Sequence, residues 1–201
     1  NVSFYNESKS GSIPPSPIIS CLGKINDISN VVTMSFKSPG SKIFMIGRRK
    51  DELGGSLYYS LHKELGANVP NPNIDEVKDQ IYAITDSIDS NLVNACHDIS
   101  DGGVAVTLSE MTFENNIGCS VNIPGELSFE KLLFSETGGF IIEVIDSNVD
   151  AIKKIFQHYN LEIDLIGGTT KEKHIKINEK IDLNTEEAKK LWLSGLRDKI
   201  K

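Results

Sequence analysis

The sequence predicts an α+β fold of α/β-like character: a mixed sheet with helices packed on it, preceded by a β-rich segment. Three observations carry this expectation. From residue 42 onward, short apolar runs alternate with stretches of helical periodicity. Residues 1–36 hold strand-like runs separated by Ser, Pro, Asn and Asp clusters and no helical pattern. The 201 residues, 39% hydrophobic and 24% charged, suffice for one domain or one and a half.

Each element has its own signal. Residues 2–5, 18–25 and 31–36 are strand candidates, and the proline-rich stretch 10–17 is a loop. Three strands without a helix make a poor core, so this part is expected to complete a sheet whose remainder lies elsewhere. The first residue is Asn1, which suggests a piece of a longer chain. Ser38-Pro39-Gly40 marks a turn and a boundary. Residues 42–47 form a strand, and 57–65 a short helix after Gly54-Gly55-Ser56. A loop with two prolines, 68–73, precedes a helix capped by Asn73 or Asp75, with Val77, Ile81, Ile84 and Ile88 on one stripe. A strand over 92–96 leads into a helix over 103–116. Strands follow at 118–123, 140–145, 163–167 and 174–177. Helices are expected over 149–159 and from Asn184 or Thr185 onward, where Glu186 and Glu187 suit the helix dipole.

Composition excludes several function classes. A net charge of −7 argues against a nucleic-acid or anionic-membrane surface. No apolar run reaches the ~18 residues of a membrane span, and no signal peptide is expected. Cys21, Cys96 and Cys119 are odd in number and lack zinc-type spacing, so buried free thiols in a reducing cytoplasm are expected.

The densest chemistry is His97-Asp98-Ile99-Ser100-Asp101-Gly102-Gly103, at a strand-to-helix junction. A helix start offers unpaired N–H groups and positive dipole charge, and glycines allow close ligand approach. Asp98 and Asp101 would repel a bare phosphate, so a phosphate carrying a divalent cation fits better. The plain alternative is a capped helix, with Ser100 or Asp101 as N-cap and the glycines easing close packing. His97 alone reads as a structural hydrogen-bonding residue. Gly54-Gly55-Ser56 is an anion nest or, more simply, a tight turn with a cap; no lysine follows, so it is not a P-loop. Ser135-Glu136 beside Gly138-Gly139 is a ligand-approaching loop or a plain turn. Asn1 and Ser3 share one face of the first strand and could offer a carbonyl and a hydroxyl to Mg²⁺ or substrate.

Five stretches occur here in order: Asn1-Val2-Ser3-Phe4-Tyr5-Asn6-Glu7, Pro15-Ser16-Pro17-Ile18-Ile19, Asp51-Glu52-Leu53-Gly54-Gly55-Ser56, the 97–103 motif, and Leu133-Phe134-Ser135-Glu136. Together they resemble the C-terminal part of the phosphoribosylformylglycinamidine synthase family, synthetase subunit II of de novo purine biosynthesis, within the aminoimidazole ribonucleotide synthetase-like superfamily. The resemblance covers the whole chain. It implies an ATP-dependent C–N ligase with Mg²⁺, converting formylglycinamide ribonucleotide and glutamine-derived ammonia to the amidine. It implies that residues 1–36 are the last strands of a second N-type, barrel-forming domain and 37–201 a second C-type α/β domain. Asn1 is then a Mg²⁺ ligand and Ser3 a substrate contact. Asp98, Ser100, Asp101, Gly102 and Gly103 become an auxiliary phosphate or nucleotide site. No catalytic residue is assigned.

The implied partners are the remainder of the synthetase chain, a glutamine amidotransferase subunit or domain, and a small accessory subunit. The fragment is expected to be inactive alone. Related alternatives are the superfamily's other ATP-dependent members, of thiamine-phosphate kinase, selenophosphate synthetase or hydrogenase maturation type. The alternative of a different class is a non-catalytic scaffold domain. One departure weakens a ligand role for the Ser135-Glu136 loop: relatives usually continue Phe-Ser-Glu with Ser-Gln-Gly-Arg, whereas this chain has Thr137-Gly138-Gly139-Phe140.

Overall fold

The structure is a computed structural model that describes residues 7–9, 11, 12, 19–25 and 27–197. The chain divides into two compact units, 1–31 and 32–201. In the first, β1 (Glu7–Ser8) and β2 (Gly11–Ser12) pair antiparallel. A 3₁₀ turn over Ile28–Asn30 follows, where the Asp27 carboxylate accepts from the Ser29 amide at 2.9 Å and hydroxyl at 2.7 Å. Those two bonds hold the Asp27 pKa below its ordinary value.

Two expected strands are corrected here. Described residues 19–25 form none, and 31–36 form only a single bridge, Thr33 to Ala95. A strand needs a neighbouring ladder for its N–H and C=O groups, and 19–25 meet none among the described residues. Ile19, Leu22 and Ile28 stay exposed accordingly. Cys21 is exposed as well, against the expectation of a buried thiol, whereas Cys119 is buried and Cys96 half-buried. The expected strand over 2–5 and the site residues Asn1 and Ser3 lie outside the described residues.

The second unit is built on a seven-stranded sheet from β3 (Lys42–Ile46), β4 (Ala95–Asp98), β5 (Gly118–Val121), β6 (Phe140–Val144), β7 (Ile163–Thr170), β8 (His174–Ile177) and β9 (Ile181–Asn184). Their order is β4-β6-β3-β7-β5-β8-β9, antiparallel throughout except for the parallel β5–β8 pair. β3 lies inside the sheet and alternates between two cores, which explains its unbroken apolar run. Its Ile43 and Met45 join Leu108, Met111, Leu133 and Ile175 on the face covered by α3 (Gly103–Thr112), α4 (Phe129–Phe134) and α6 (Thr185–Arg197). Its Phe44 and Ile46 join Ala83, Ile84, Ile152 and Phe156 on the face covered by α2 (Ile74–Asp89) and α5 (Val149–His158).

Three differences from the expected elements have local causes. The α2 stripe is rotated: Gln80, Ala83, Ile84 and Ser87 are buried, while Ile81 is half exposed. Small Ala83 and Ser87 let the helix lie close to its neighbours, and the Ser87 hydroxyl is satisfied by the Ala83 carbonyl at 2.6 Å. α1 is only Leu57–Leu61, with its chain reversed near Gly66. α4 and β9 carried no sequence signal, being six and four residues long, too short for a period to register.

The turn at Ser38-Pro39-Gly40 is held by a fully buried carboxylate. Glu143 on β6 accepts from the Lys37 amide at 2.6 Å and the Ser38 amide at 2.9 Å, one on each oxygen. A buried charge is tolerable when both oxygens are satisfied in this way.

Candidate functional site

The sequence-predicted site sits on one rim of the sheet. Ile46 at the end of β3, Asp98 at the end of β4, Phe140 at the start of β6 and Ile163 at the start of β7 are neighbours across the ladders. Three connections leave that rim: 47–56, 99–102 and 135–139.

At the 99–102 connection the chain makes two successive left-handed residues, Gly102 at φ 78° and Gly103 at φ 65°. Gly103 is required sterically too, since a Cβ there would lie 2.5 Å from the Leu133 carbonyl oxygen. The N-cap of α3 is Gly102, with no cap from its own side chain. This corrects the expectation that Ser100 or Asp101 would serve: both are exposed, and the left-handed Gly102 takes the cap position, with the Gly103 amide on the Ser100 carbonyl at 3.0 Å. The Gly102 amide is met from across the site, where Glu136 Oε1 accepts from it at 2.9 Å. The same oxygen accepts from Leu57 N, at the first turn of α1, at 2.8 Å. One carboxylate thus sits at two helix starts, where negative charge is favoured.

The rest of the 135–139 loop is knotted into the body. The Ser135 hydroxyl donates to the Lys50 carbonyl at 2.7 Å and accepts from Glu52 N at 3.3 Å. Thr137 donates to Glu52 Oε2 at 2.7 Å. Arg49, buried, donates to the carbonyls of Thr137, Gly138 and Gly47 at 2.6, 3.0 and 3.2 Å. Burial lowers its guanidinium pKa to about 10, opposed by the nearby Glu52 charge. Gly139 passes so close under this group that a Cβ would meet Ile46 O at 2.3 Å and the guanidinium at 2.9 Å. Gly54-Gly55-Ser56 is the tight turn with a cap: Ser56 accepts from Tyr59 N at 3.2 Å.

His97 is a structural hub. Its Nδ1 faces Asp98 Oδ1 at 3.0 Å and its Nε2 faces Glu110 Oε2 at 2.9 Å. The other Glu110 oxygen accepts from the Trp192 indole at 2.9 Å, so the contact ties β4, α3 and α6 together. Asp98, Ser100 and Asp101 remain exposed at the rim, and Gly102 and Gly103 are buried. Among the described residues no three His, Cys, Asp or Glu converge to hold a metal. Mg²⁺ keeps several waters and takes one or two carboxylates, which at the α3 start Asp98 and Asp101 would supply.

The sequence reading missed a cleft on the same rim. A hollow of 240 Å³ is lined by Lys50, Glu52, Pro70, Asn73, Gln80 and Thr137. Through Gly47, Arg48, Glu76 and Gln80 it adjoins a second hollow of 390 Å³ beside Glu162 and Asp164. The residues of the two hollows together come from four separate segments and share no motif.

Comparison with known proteins defines the class first. The family model for the AIR synthase related protein, C-terminal domain, matches residues 38–180, and the chain belongs to that family. Within it the chain is similar to the phosphoribosylformylglycinamidine synthase subunit PurL. It is 41% identical, over its whole length, to 27% of PurL of Methanothrix thermoacetophila, and 32% identical over 98% of its length to 27% of PurL of Alkaliphilus metalliredigens. It thus spans about a quarter of these relatives. The fold matches that of T. maritima PurL complexed with FGAR, at a TM-score of 0.71 and 16% identity, covering 81% of this chain and 30% of that one. T. maritima PurL complexed with ATP matches at 0.65 and 17%, covering 81% and 28%. PurLQS from Thermotoga maritima matches at 0.65 and 18%, covering 79% and 27%. No helix among the described residues is long and apolar enough to cross a membrane.

Proposed function

We propose that the chain is a C-terminal portion of an ATP-dependent phosphoribosylformylglycinamidine synthase subunit. The whole enzyme would convert formylglycinamide ribonucleotide, ATP and glutamine-derived ammonia to the amidine, ADP and phosphate. The observation that supports this most is the 41% identity to a PurL subunit across the entire chain. ATP is the co-substrate in this reading, in keeping with the ATP complex of the T. maritima relative. Mg²⁺ would lower the charge cost of phosphoryl transfer, held in part by Asn1, with Ser3 on the substrate. Residues 1–36 are then the tail of a second N-type domain and 37–201 a second C-type domain. The remainder of the synthetase, a glutaminase subunit and a small accessory subunit are the partners, in the cytoplasm.

The test combines the chain with formylglycinamide ribonucleotide, ATP, MgCl₂ and ammonium chloride, alone and then with the missing part of the subunit. No turnover alone, and turnover on recombination, is the expected result. Turnover by the chain alone would overturn its incompetence. A recombined enzyme that consumes ATP only with a different acceptor would overturn the substrate.

A second reading, in which this domain is a scaffold, is favoured by Glu136. The carboxylate already occupies the Gly102 amide, and Asp98 and Asp101 flank it, so the α3 start is poorly suited to an auxiliary phosphate. Equilibrium dialysis with ADP and Mg²⁺ separates the two: saturable binding supports the auxiliary site, and none supports the scaffold.

A further inference from the structure

We propose that residues 51–69 form a lid that opens as one body over the N-terminal end of α3, with Glu136 as its latch. The segment joins β3 to α2 through a single helix of five residues. Its two limbs are stitched to each other: Gly54 N donates to Asn68 O and Gly55 N to Leu65 O, both at 2.7 Å. Gly54 has no room for a side chain, because a Cβ would lie 2.7 Å from the Asn68 backbone. The ring of Tyr59 packs on Gly66, where a Cβ would be 2.5 Å away. These bonds make the segment a closed unit that moves without coming apart.

Its hold on the body is slight by comparison. Leu61 and Leu65 are 83% and 77% exposed, and the only fully buried side chains are Leu53 and Ser56, at the base. Its hydrogen bonds, ion pair and ring stacking with the body reach one short stretch, 131–137. Lys131 pairs with Asp51 at 2.7 Å, the Phe134 ring stacks on Tyr58 at 4.9 Å, and Glu136 accepts from Leu57 N. A hollow of 200 Å³ lies within the segment itself, lined by Leu53, Gly54, Tyr59, Gly66 and Asn68, and only Lys131 of the body reaches it. The pivot is Glu52, whose two oxygens hold Asn71 N on the trailing limb and the Thr137 hydroxyl on the body.

Few buried apolar contacts and exposed backbone bonds are the marks of a unit that opens below the global unfolding free energy. Glu136 is the contact that couples the lid to α3, since Leu57 N and Gly102 N share its one oxygen. Opening breaks the first bond and leaves the second in place. This inference stands apart from the proposed activity and needs no ligand.

Hydrogen exchange resolved residue by residue in NMR tests it on the 201-residue chain. The Leu57 amide, bonded across the opening to Glu136, should exchange at least about tenfold faster than those of 76–88 in α2. Tyr58→Ala removes the stacking on Phe134 and leaves Glu136 in place, so it should speed Leu57 about fivefold more while Ser60 and Glu64, bonded within the segment, keep their rates. Equal protection of Leu57 and α2 in the native chain, or an unchanged Leu57 rate in Tyr58→Ala, overturns the proposal. Faster exchange at Ser60 and Glu64 in that variant overturns opening as one body.

Discussion

Two glycine pairs on the same rim differ in what requires them. Gly102 and Gly103 have no room for a side chain, one pressed on Val106 and the other on the backbone of 133–135. Gly54 meets only the Asn68–Val69 backbone of its own segment, and Gly55 is left-handed, at φ 73°, with nothing within 4 Å of where its Cβ would be. Gly103 is demanded by packing against a distant part of the body, Gly54 by its own segment and Gly55 by the local turn alone. Sequence shows both as Gly-Gly before a helix. The difference teaches that the α3 start is a fixed part of the core, while the turn before α1 belongs to a surface segment that the core barely restrains.

Substitution at these positions should separate the two regions in order of size. Gly103→Ala meets immovable backbone at 2.5 Å in a left-handed conformation, so it should cost about 3 kcal/mol or more by urea unfolding. A cost under about 1 kcal/mol would show that the α3 start yields. Glu143→Ala, which takes the buried acceptor from two part-buried amides at the 37–40 turn, should cost about 2 kcal/mol by the same measurement. Gly55→Ala should cost only the left-handed penalty, about 1 kcal/mol. Leu61→Ala should change stability by less than about 0.5 kcal/mol, since the side chain is already in water.

The cysteines sharpen the same contrast between core and periphery. Burial pushes both the Cys96 and Cys119 thiols up to about 12 from an ordinary 9.0, with the Asp98 charge adding to the first. A thiol-specific reagent at pH 8 should therefore label Cys21 fast and the other two only on unfolding. The sign of the pH effect follows. These groups keep their protons in the folded state, so their contribution is complete below pH 9 and is lost as pH rises from 9 toward 12. Chemical denaturation at pH 8 and pH 10.5 should show the chain less stable at the higher value.

Much of the second unit was legible in the sequence because its elements carry a period. β3, α2, β6, α5, β7 and β8 were expected within a few residues of their observed positions. Failures fell where an element is short or where a partner decides. α4 and β9 are too brief to show a pattern. The strands expected over 18–25 and 31–36 have the right composition but do not find a ladder within the described residues. Of the expected α2 stripe, Ile84 and Ile88 do pack on the core and Ile81 does not, because the small Ala83 and Ser87 are buried alongside Ile84 instead.

The site was legible in part. The 97–103 motif, the Gly54-Gly55-Ser56 turn and the Ser135-Glu136 pair were recognised as special, and all three converge on one rim. Their roles were not legible. His97 was read as structural and is a hub between three elements, but the N-cap was sought in Ser100 and Asp101. The true acceptor, Glu136, lies 34 residues away. Nothing in local sequence announces that a carboxylate will cross to a distant helix start.

The sequence by itself determined the α+β class, the order of most elements and the motifs that place the chain among the AIR synthase-related C-terminal domains, because periodicity and glycine-bearing turns are local properties. Only the tertiary structure decided which carboxylate closes α3, how strongly each glycine is required, and which loop is core and which is lid. Those outcomes depend on distances between segments far apart in the chain, and such distances exist only once the sheet has brought its rim together.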